Sequence, residues 1–491
     1  MDLDCGTDAH GCGRAGRDGR AGVRILVFQM QRMGDLILSF PLFLWLGRAY
    51  PGAAIRVVGE PGFFGPLSVL GPTVDYVGWD GGDRVAAQEY DMVINLSHRP
   101  EAAELAGKAA APRKAGLVME EGGVLRMHGD WQLYRASLVR NNRHNRFHWA
   151  DLNALDVIPL AMIAATRWDA PRQLERHDGR VGVFLGASQP EKRPDAAFWG
   201  TLARELARRG LKPVLLGGPA ERELGREVKR LCGGAALEYC GRLGLAELAK
   251  VLQTFHLLIT PDTGPMHLAA WTGCRVLNLS MGPVNPWETG PYQPGHFVLR
   301  GAVSCRGCWE CSRSPMPCRA AFDPARVAYA AWRMVRGESQ RLAGTGLSGM
   351  DLFQVGRDGR GVYRLEAVSG RPPLAEEALG RFWSEMFGHF FGVGDMSRPH
   401  KAWEELARSL PRLAAAFART LPRLGGFLRA GISGRGDFSD ESFWAGFPPF
   451  VRPLTGYLHI FLQNGDFSRQ AGRTCLERVS QVAQATSGTS D

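Results

Sequence analysis

The stretch Leu257-Leu258-Ile259-Thr260-Pro261-Asp262-Thr263-Gly264-Pro265-Met266-His267-Leu268-Ala269-Ala270 constrains the fold more than any other part of the chain. An apolar run stops at a Pro-Asp-Thr-Gly turn, and small residues compatible with a helix follow. The order strand, tight turn, helix start is the basic step of a parallel α/β sheet. Asp262 or Thr263 is placed to cap the helix, and Gly264 lets a ligand approach the backbone. A helix N-terminus presents unpaired N–H groups and a partial positive charge, which suits a phosphate. His267 falls about one turn inside the same helix.

The step recurs along the chain. Residues 23–28 (VRILVF) read as a buried strand, 29–35 as a polar turn containing Gly34, and 36–49 as a helix. Further strands are expected at 54–58 and at 90–96, the latter ending in Ser97-His98-Arg99. A second series starts at 181–186 (VGVFLG) and continues through the loop 187–194, a helix at 198–209 and a strand at 212–216 closed by Gly217-Gly218-Pro219. Glu221 opens the next helix. Another strand, 275–280, ends in Met281-Gly282-Pro283. Strands alternating with helices imply parallel sheets covered on both faces, with ligands beyond the carboxyl ends of the strands.

The expected architecture is therefore α/β: two Rossmann-like doubly wound domains facing a cleft, followed by a mostly helical C-terminal module. The expected boundaries are a disordered leader at 1–22, domains at 23–175 and 176–340, and a helical extension of unknown role at 350–485. Within the last region, 352–368 reads as a hairpin around Arg357-Asp358-Gly359-Arg360. Phe382, Trp383, Phe387, Phe390 and Phe391 crowd the segment after it.

A length of 491 residues fits two or three domains. A hydrophobic content of 45% and a charged content of 22% are those of a globular protein. The formal net charge of +10 favours a phosphate-bearing partner, although a general preference for arginine would produce the same number. No apolar run is long enough for a transmembrane helix. Residues 1–22 lack the apolar core of a secretory signal.

Ten cysteines are scattered apart from Cys305-Arg306-Gly307-Cys308-Trp309-Glu310-Cys311 with Cys318. Four thiolates at this spacing can build a tetrahedral structural zinc site. Free or paired thiols and an iron–sulfur cluster are the alternatives, the last weakened by the spacing to Cys318. Arg408, Arg412, Arg419 and Arg423 share one helical face, with Leu413, Phe417, Leu421 and Leu424 roughly opposite. That pattern fits a basic helix on an anionic membrane or a plain helical bundle with a solvated arginine face. Pro411 and Pro422 interrupt a continuous helix and favour the bundle.

Several motifs, in order, resemble glycosyltransferase family 9, the heptosyltransferases. They are Arg32-Met33-Gly34-Asp35, Gly186-Ala187-Ser188 with Lys192-Arg193-Pro194, Leu216-Gly217-Gly218-Pro219-Ala220-Glu221, the 262–270 segment, Gly282-Pro283 and Gly290-Pro291. Singly each is weak; together they are specific, and they span roughly residues 23–336. The resemblance implies a GT-B fold with the acceptor in the first domain and the donor nucleotide in the second. It implies an inverting, metal-independent transfer of heptose or a related sugar from an ADP-sugar to a lipopolysaccharide-type glycolipid. No catalytic cofactor and no nucleic-acid partner are expected. The implied location is cytoplasmic, with peripheral contact at the inner face of the inner membrane. A cysteine-rich loop at this point also occurs in the family.

Carried onto this chain, the resemblance gives each residue a role beside a plainer alternative. An inverting transfer needs a base for the acceptor hydroxyl, and Asp35 matches that position; otherwise it caps a helix. Lys192 would stabilise the departing diphosphate, or be a solvated loop lysine. Ser188 would donate to a phosphate, and the Thr263 and Gly264 amides would cradle one. His267 would reach the diphosphate or be a satisfied structural histidine. Glu221 would accept from ribose hydroxyls or pair within its own helix start. Asp262 would fix the turn or accept from a sugar hydroxyl. Two other functions fit the same architecture. One is a sugar-nucleotide epimerase-like enzyme, which needs further acid/base carboxylates near the cleft. The other is a non-enzymatic scaffold acting through residues 350–485.

Overall fold

The computed structural model describes residues 22–29, 32–174, 178–343, 347–368 and 373–487. The expected leader lies outside the described residues apart from Gly22. Strands β1 (Arg24–Phe28), β2 (Ala54–Gly59), β3 (Asp75–Gly78), β4 (Met92–Asn95), β5 (Arg113–Met119) and β6 (Leu125–His128) form one sheet in the order β3-β2-β1-β4-β5-β6. All neighbours are parallel except β6, which runs antiparallel to β5. Helices cover both faces, so Ile25, Leu26, Val27 and Phe28 are all buried. That accounts for a continuous apolar run in place of alternation.

The second sheet repeats the pattern with β7 (Arg180–Phe184), β8 (Lys212–Leu216), β9 (Leu237–Glu238), β10 (Leu257–Pro261), β11 (Val276–Ser280) and β12 (Phe297–Gly301). The parallel order is β9-β8-β7-β10-β11-β12. The hairpin expected around Arg357–Arg360 forms as β13 (Met350–Arg357) and β14 (Tyr363–Ala367). It joins this sheet, β13 antiparallel to β12, and leaves β14 at the edge. In each sheet the strand order reverses at a central pair, β1/β4 and β7/β10, where a doubly wound sheet opens a crevice.

A helix leaves each crevice. Met33–Ala49 follows β1, and Gly264–Trp271 follows β10. The first begins at Met33, earlier than the turn residues suggested, so Gly34 and Asp35 lie in its opening turn. It also continues through Pro41. The two helices pack together, with the Phe40 ring edge-on to Trp271 at 5.2 Å between centroids. One apolar cluster consequently runs through both sheets and includes Ile25, Trp45, Phe184, Leu258 and Met266. Burying each such large side chain contributes about 1.5–3 kcal/mol.

The C-terminal region is helical from Ala375–Phe390 through Ser397–Ser409, Pro411–Ala418, Leu421–Ile432 and Arg452–Asn464 to Arg469–Thr486. The basic stretch breaks before Pro411 and again before Leu421. Phe417, Leu421 and Leu424 are buried and Leu413 is half-buried, as a bundle requires. The bundle core is shared with the first sheet's helices, since Phe382, Phe387 and Phe417 cluster with Trp131, Tyr134 and Phe147. Among the described residues no helix is long and apolar enough to cross a membrane.

Candidate functional site

The starts of the two crevice helices face each other through glycine. A side-chain carbon on Gly34 would stand 3.1 Å from His267 Cδ2 and 3.6 Å from Gly264 Cα. One on Gly264 would stand 3.4 Å from the Gly34 nitrogen and run into the end of Met33. Larger residues at either position would hold the helix starts apart.

Asp35 projects from this junction. It caps nothing: the helix start at Arg32 has no side-chain cap. Asp35 Oδ2 is buried with no hydrogen-bond partner among the described residues. Burial pushes its carboxyl up to about 6, and Asp262 adds to the rise, while Arg135, Arg32 and Lys192 pull against it. Arg135 comes from the helix Asp130–Ser137. Its Nη1 donates to Asn153 Oδ1 at 2.8 Å, and its guanidinium lies over Trp149 at 4.9 Å. Burial brings Arg135 down to about 10, opposed by Asp35 and Glu288.

Lys192 closes the short turn Pro190–Lys192 after β7, and its charge acts on both Asp35 and Asp262. Gly282, at φ +72°, seats this turn: a Cβ there would collide with the Glu191 carbonyl. Only glycine takes that conformation without strain. Ser188 is exposed on the same loop.

Asp262 does not cap the following helix either. Its Oδ2 accepts a hydrogen bond from Thr289 Oγ1 at 2.9 Å. Burial raises its carboxyl, offset by Lys192 and by Thr289. Thr263 occupies the N-cap position in an extended conformation, with no side-chain cap. The expectation of a side-chain cap thus fails at both residues, because Asp262 is committed to Thr289 instead. The helix start keeps its dipole unscreened by a capping oxygen. His267 is buried, burial lowers it to about 4, and its Nδ1 has no partner among the described residues. It is neutral at physiological pH.

Glu221 ends the turn Pro219–Glu221 after β8. Its Oε2 accepts from the Gly218 N–H at 2.8 Å, and Arg193 Nη1 lies 3.7 Å from Oε1. Asp35, Lys192 and Asp262 thus share one electrostatic neighbourhood, with Gly264 and His267 against Gly34. Among the described residues Ser188 and Glu221 make no hydrogen bond to that group; they lie on the loops after β7 and β8.

Residues outside the motifs complete the neighbourhood. Glu288, in the helix Pro286–Thr289, is buried. It accepts from Asn142 Nδ2 at 2.7 Å and from Asn145 Nδ2 at 3.1 Å. Burial pushes it up to about 7, against those two bonds and Arg135. Asn285 Nδ2 donates to the carbonyls of Asn142 at 2.7 Å and Asn145 at 3.1 Å. The only sequence signal was the polar run Asn141-Asn142-Arg143-His144-Asn145; Arg135 had none, being one arginine among many.

The zinc expectation at Cys305, Cys308, Cys311 and Cys318 is not supported. Among the described residues no group of three or more histidines, cysteines or carboxylates is placed to hold a metal ion, and these four are free thiols. Cys318 is tied into the helix Pro317–Ala320, and Cys311 Sγ contacts the Arg313 carbonyl. The loop is anchored by Arg306, which is buried against Asp351 at 2.7 Å, Glu376 at 3.0 Å and Glu377.

Residues 81–316 match the sequence model of Glycosyltransferase family 9 (heptosyltransferase). Lipopolysaccharide heptosyltransferase 1 of Pseudomonas aeruginosa is 28% identical over 321 residues, covering 60% of this chain and 88% of that protein. The protein of the same name from Escherichia coli K12 is 25% identical over 318 residues, covering 57% and 93%. The crystal structure of the glycosyl transferase family 9 from Veillonella parvula DSM 2008 has a similar fold, with a TM-score of 0.51 and 24% identity over 64% of this chain and 98% of that one. With its paired doubly wound sheets and the ordered motifs at their crevices, the chain is similar to glycosyltransferase family 9 across residues 81–316.

Proposed function

We propose that this glycosyltransferase moves a heptose, or a related sugar, from an ADP-sugar to a lipopolysaccharide-type acceptor with inversion at the anomeric carbon. The curated relatives are lipopolysaccharide heptosyltransferases. The observation that carries the reading is the state of Asp35: a buried carboxylate with one oxygen that has no hydrogen-bond partner among the described residues, within reach of the charge of Lys192. A pKa near 6 leaves it ionised at neutral pH yet basic enough to take a proton.

In this reading the acceptor lies on the first unit, residues 23–175, and the donor on the second, residues 176–340. Asp35 takes the proton of the acceptor hydroxyl as that oxygen bonds to the anomeric carbon. The bond to the diphosphate breaks, and its electron pair leaves with the phosphate oxygen. Lys192, Ser188 and the uncapped helix start at Thr263-Gly264 receive the growing negative charge without a metal. Glu221 accepts from the ribose hydroxyls. Asp262, held by Thr289, orients the sugar, and neutral His267 keeps the helix start against Gly34. The glycolipid acceptor would bring the enzyme to the inner face of the inner membrane as a peripheral protein.

The test is release of ADP from ADP-heptose in the presence of a lipopolysaccharide core acceptor, compared with UDP-, GDP- and CMP-sugars. Acceptor-dependent release with ADP-heptose alone supports the reading. Equal turnover with another nucleotide, or full turnover by Asp35→Asn, overturns it.

A further inference from the structure

A second cavity, of about 640 Å³, lies between edge strand β14 and the helices Ala375–Phe390 and Ser397–Ser409. Neither Asp35, Lys192, Asp262 nor Glu288 lines it. Its size is that of a small-molecule site. Part of its wall is apolar: Phe353, Val362, Leu365, Leu406 and Leu410.

The charged part of the wall is unbalanced. Every carboxylate lining the cavity is already matched by an arginine. Asp358 pairs with Arg360 at 2.6 Å, and Glu385 with Arg360 at 3.3 Å and Arg398 at 2.9 Å. Glu405 pairs with Arg381, and Glu377 with Arg306. Arg146, also in the wall, pairs with Glu376 at 2.5 Å. Arg364 and Arg408 line the cavity too, and among the described residues neither has an ion-pair partner. One comes from the strand side and one from the helix side. Helix glycines make room for the paired arginines, since a Cβ on Gly380 would strike the Arg146 guanidinium and one on Gly388 would stand 2.8 Å from Arg360 Nη1. The surplus charge facing the cavity is positive and is carried by guanidinium forks, which match phosphate and carboxylate oxygens.

We propose that this cavity binds an anionic amphiphile, with its phosphate or carboxylate head between Arg364 and Arg408 and its apolar body along Leu365, Leu406 and Phe353. The site is separate from the transfer site and does not depend on the sugar or nucleotide used there.

The experiment is calorimetric titration of the full chain with monomeric dodecyl phosphate, with inorganic phosphate and dodecyl maltoside as the two halves of the ligand. Saturable binding of dodecyl phosphate, with both controls at least about tenfold weaker, is expected. The double variant Arg364→Gln/Arg408→Gln should weaken it by about tenfold or more, given the usual strength of charged hydrogen bonds. ADP binding by that variant should stay unchanged, which shows that it is folded. Leu406→Trp, which fills the cavity from the helix side, should weaken dodecyl phosphate and dodecyl maltoside alike. Absence of saturable binding, equal affinity for dodecyl maltoside, inorganic phosphate binding as tightly as the amphiphile, or an unaffected double variant would each overturn the proposal. Loss of sugar transfer with this binding intact would bear on the transferase reading alone.

Discussion

Gly34 and Gly264 meet backbone to backbone at the junction of the two sheets, each at the start of the helix that leaves its crevice. The contact fixes how far apart Asp35 and the helix start at Thr263-Gly264 can be. Gly34→Val should therefore act on geometry more than on folding. Its first carbon would press on the His267 ring, and its branches need more room still. A loss of about 1–3 kcal/mol in stability is expected from overpacking, with a larger fall in turnover than in ADP affinity. Gly264→Ala should be milder, because the atom it meets is the movable end of Met33. Thermal melts and single-turnover rates on both variants separate the two.

Asp35→Asn should lose activity and gain stability at the same time. Removing a general base costs about 10²–10⁴-fold in rate. The folded-state pKa of about 6 lies above the ordinary value of 3.8, so the folded protein holds this proton more tightly than the unfolded chain. Stability from this group then falls as pH rises from about 4 to 6, by about 3 kcal/mol in full. The asparagine variant escapes that loss. It should melt higher than the parent at pH 8 and no higher at pH 4, and the parent's turnover should rise through pH 6. Denaturation at the two pH values decides the matter; equal stability at pH 8 would mean that Asp35 is better solvated than its surroundings indicate.

The placement of Lys192 depends on Gly282, on the loop after β11. Gly282 holds its left-handed conformation against the Glu191 carbonyl and so sets the height of the Lys192 turn. Gly282→Ala should lower turnover about tenfold or more by displacing the lysine, and should cost about 1–3 kcal/mol through strain. Lys192→Ala should cost about 2–4 kcal/mol of transition-state stabilisation, on the scale of other oxyanion donors. If both act on the same cation, the double variant should be little worse than Lys192→Ala, a non-additivity that steady-state kinetics can measure.

The strands were legible because burial on both faces demands unbroken apolar runs, and 23–28, 181–186 and 257–260 are such runs ended by turn residues. Asp35 and Asp262 stood out at the carboxyl ends of strands and Lys192 through the ordered motifs, and the structure brings the charges of all three into one neighbourhood. Local patterns failed where tertiary contacts outweighed them. Gly34 disfavours a helix, yet the helix begins at Met33, because the packing of its buried face onto Gly264–Trp271 outweighs that cost. Asp262 follows a strand as a cap would, but Thr289 claims its carboxylate. Arg135 and Glu288 join the site from distant segments, with no spacing rule to announce them. The hairpin could be read, but its edge position on the second sheet could not, since pairing with β12 is a long-range choice.

Glu288 ties the segment after the first sheet to the second. Glu288→Ala would leave the Asn142 and Asn145 amides without their acceptor in a buried place, at about 2–4 kcal/mol. Glu288→Gln keeps the volume but turns one acceptor into a donor facing an amide donor, so it should recover little. A double-mutant cycle with Asn142→Ala should show a coupling of about 1–2 kcal/mol. Additive losses in urea titrations would show that the bond contributes nothing of its own.

Arg306 should prove to be the structural residue of the cysteine-rich loop. It is almost wholly buried between Asp351, Glu376 and Glu377. Burial opposes the charge on Glu376, but Arg146, Arg300 and Arg306 outweigh it and hold that carboxyl at about 2. A depressed carboxyl stabilises the fold above its ordinary range near 4.5 and loses that contribution as pH falls toward 2. Arg306→Met removes one cation and strands the acids, at about 3–5 kcal/mol at pH 7. In the variant the acids protonate more readily, so the deficit should shrink as pH is lowered toward 4. Changing Cys305 and Cys308 to serine, which leaves Arg306 in place, should cost less at either pH. Denaturant titrations of the parent and both variants at pH 7 and pH 4.5 give the comparison, and a cysteine variant as unstable as Arg306→Met would return the anchoring role to the thiols.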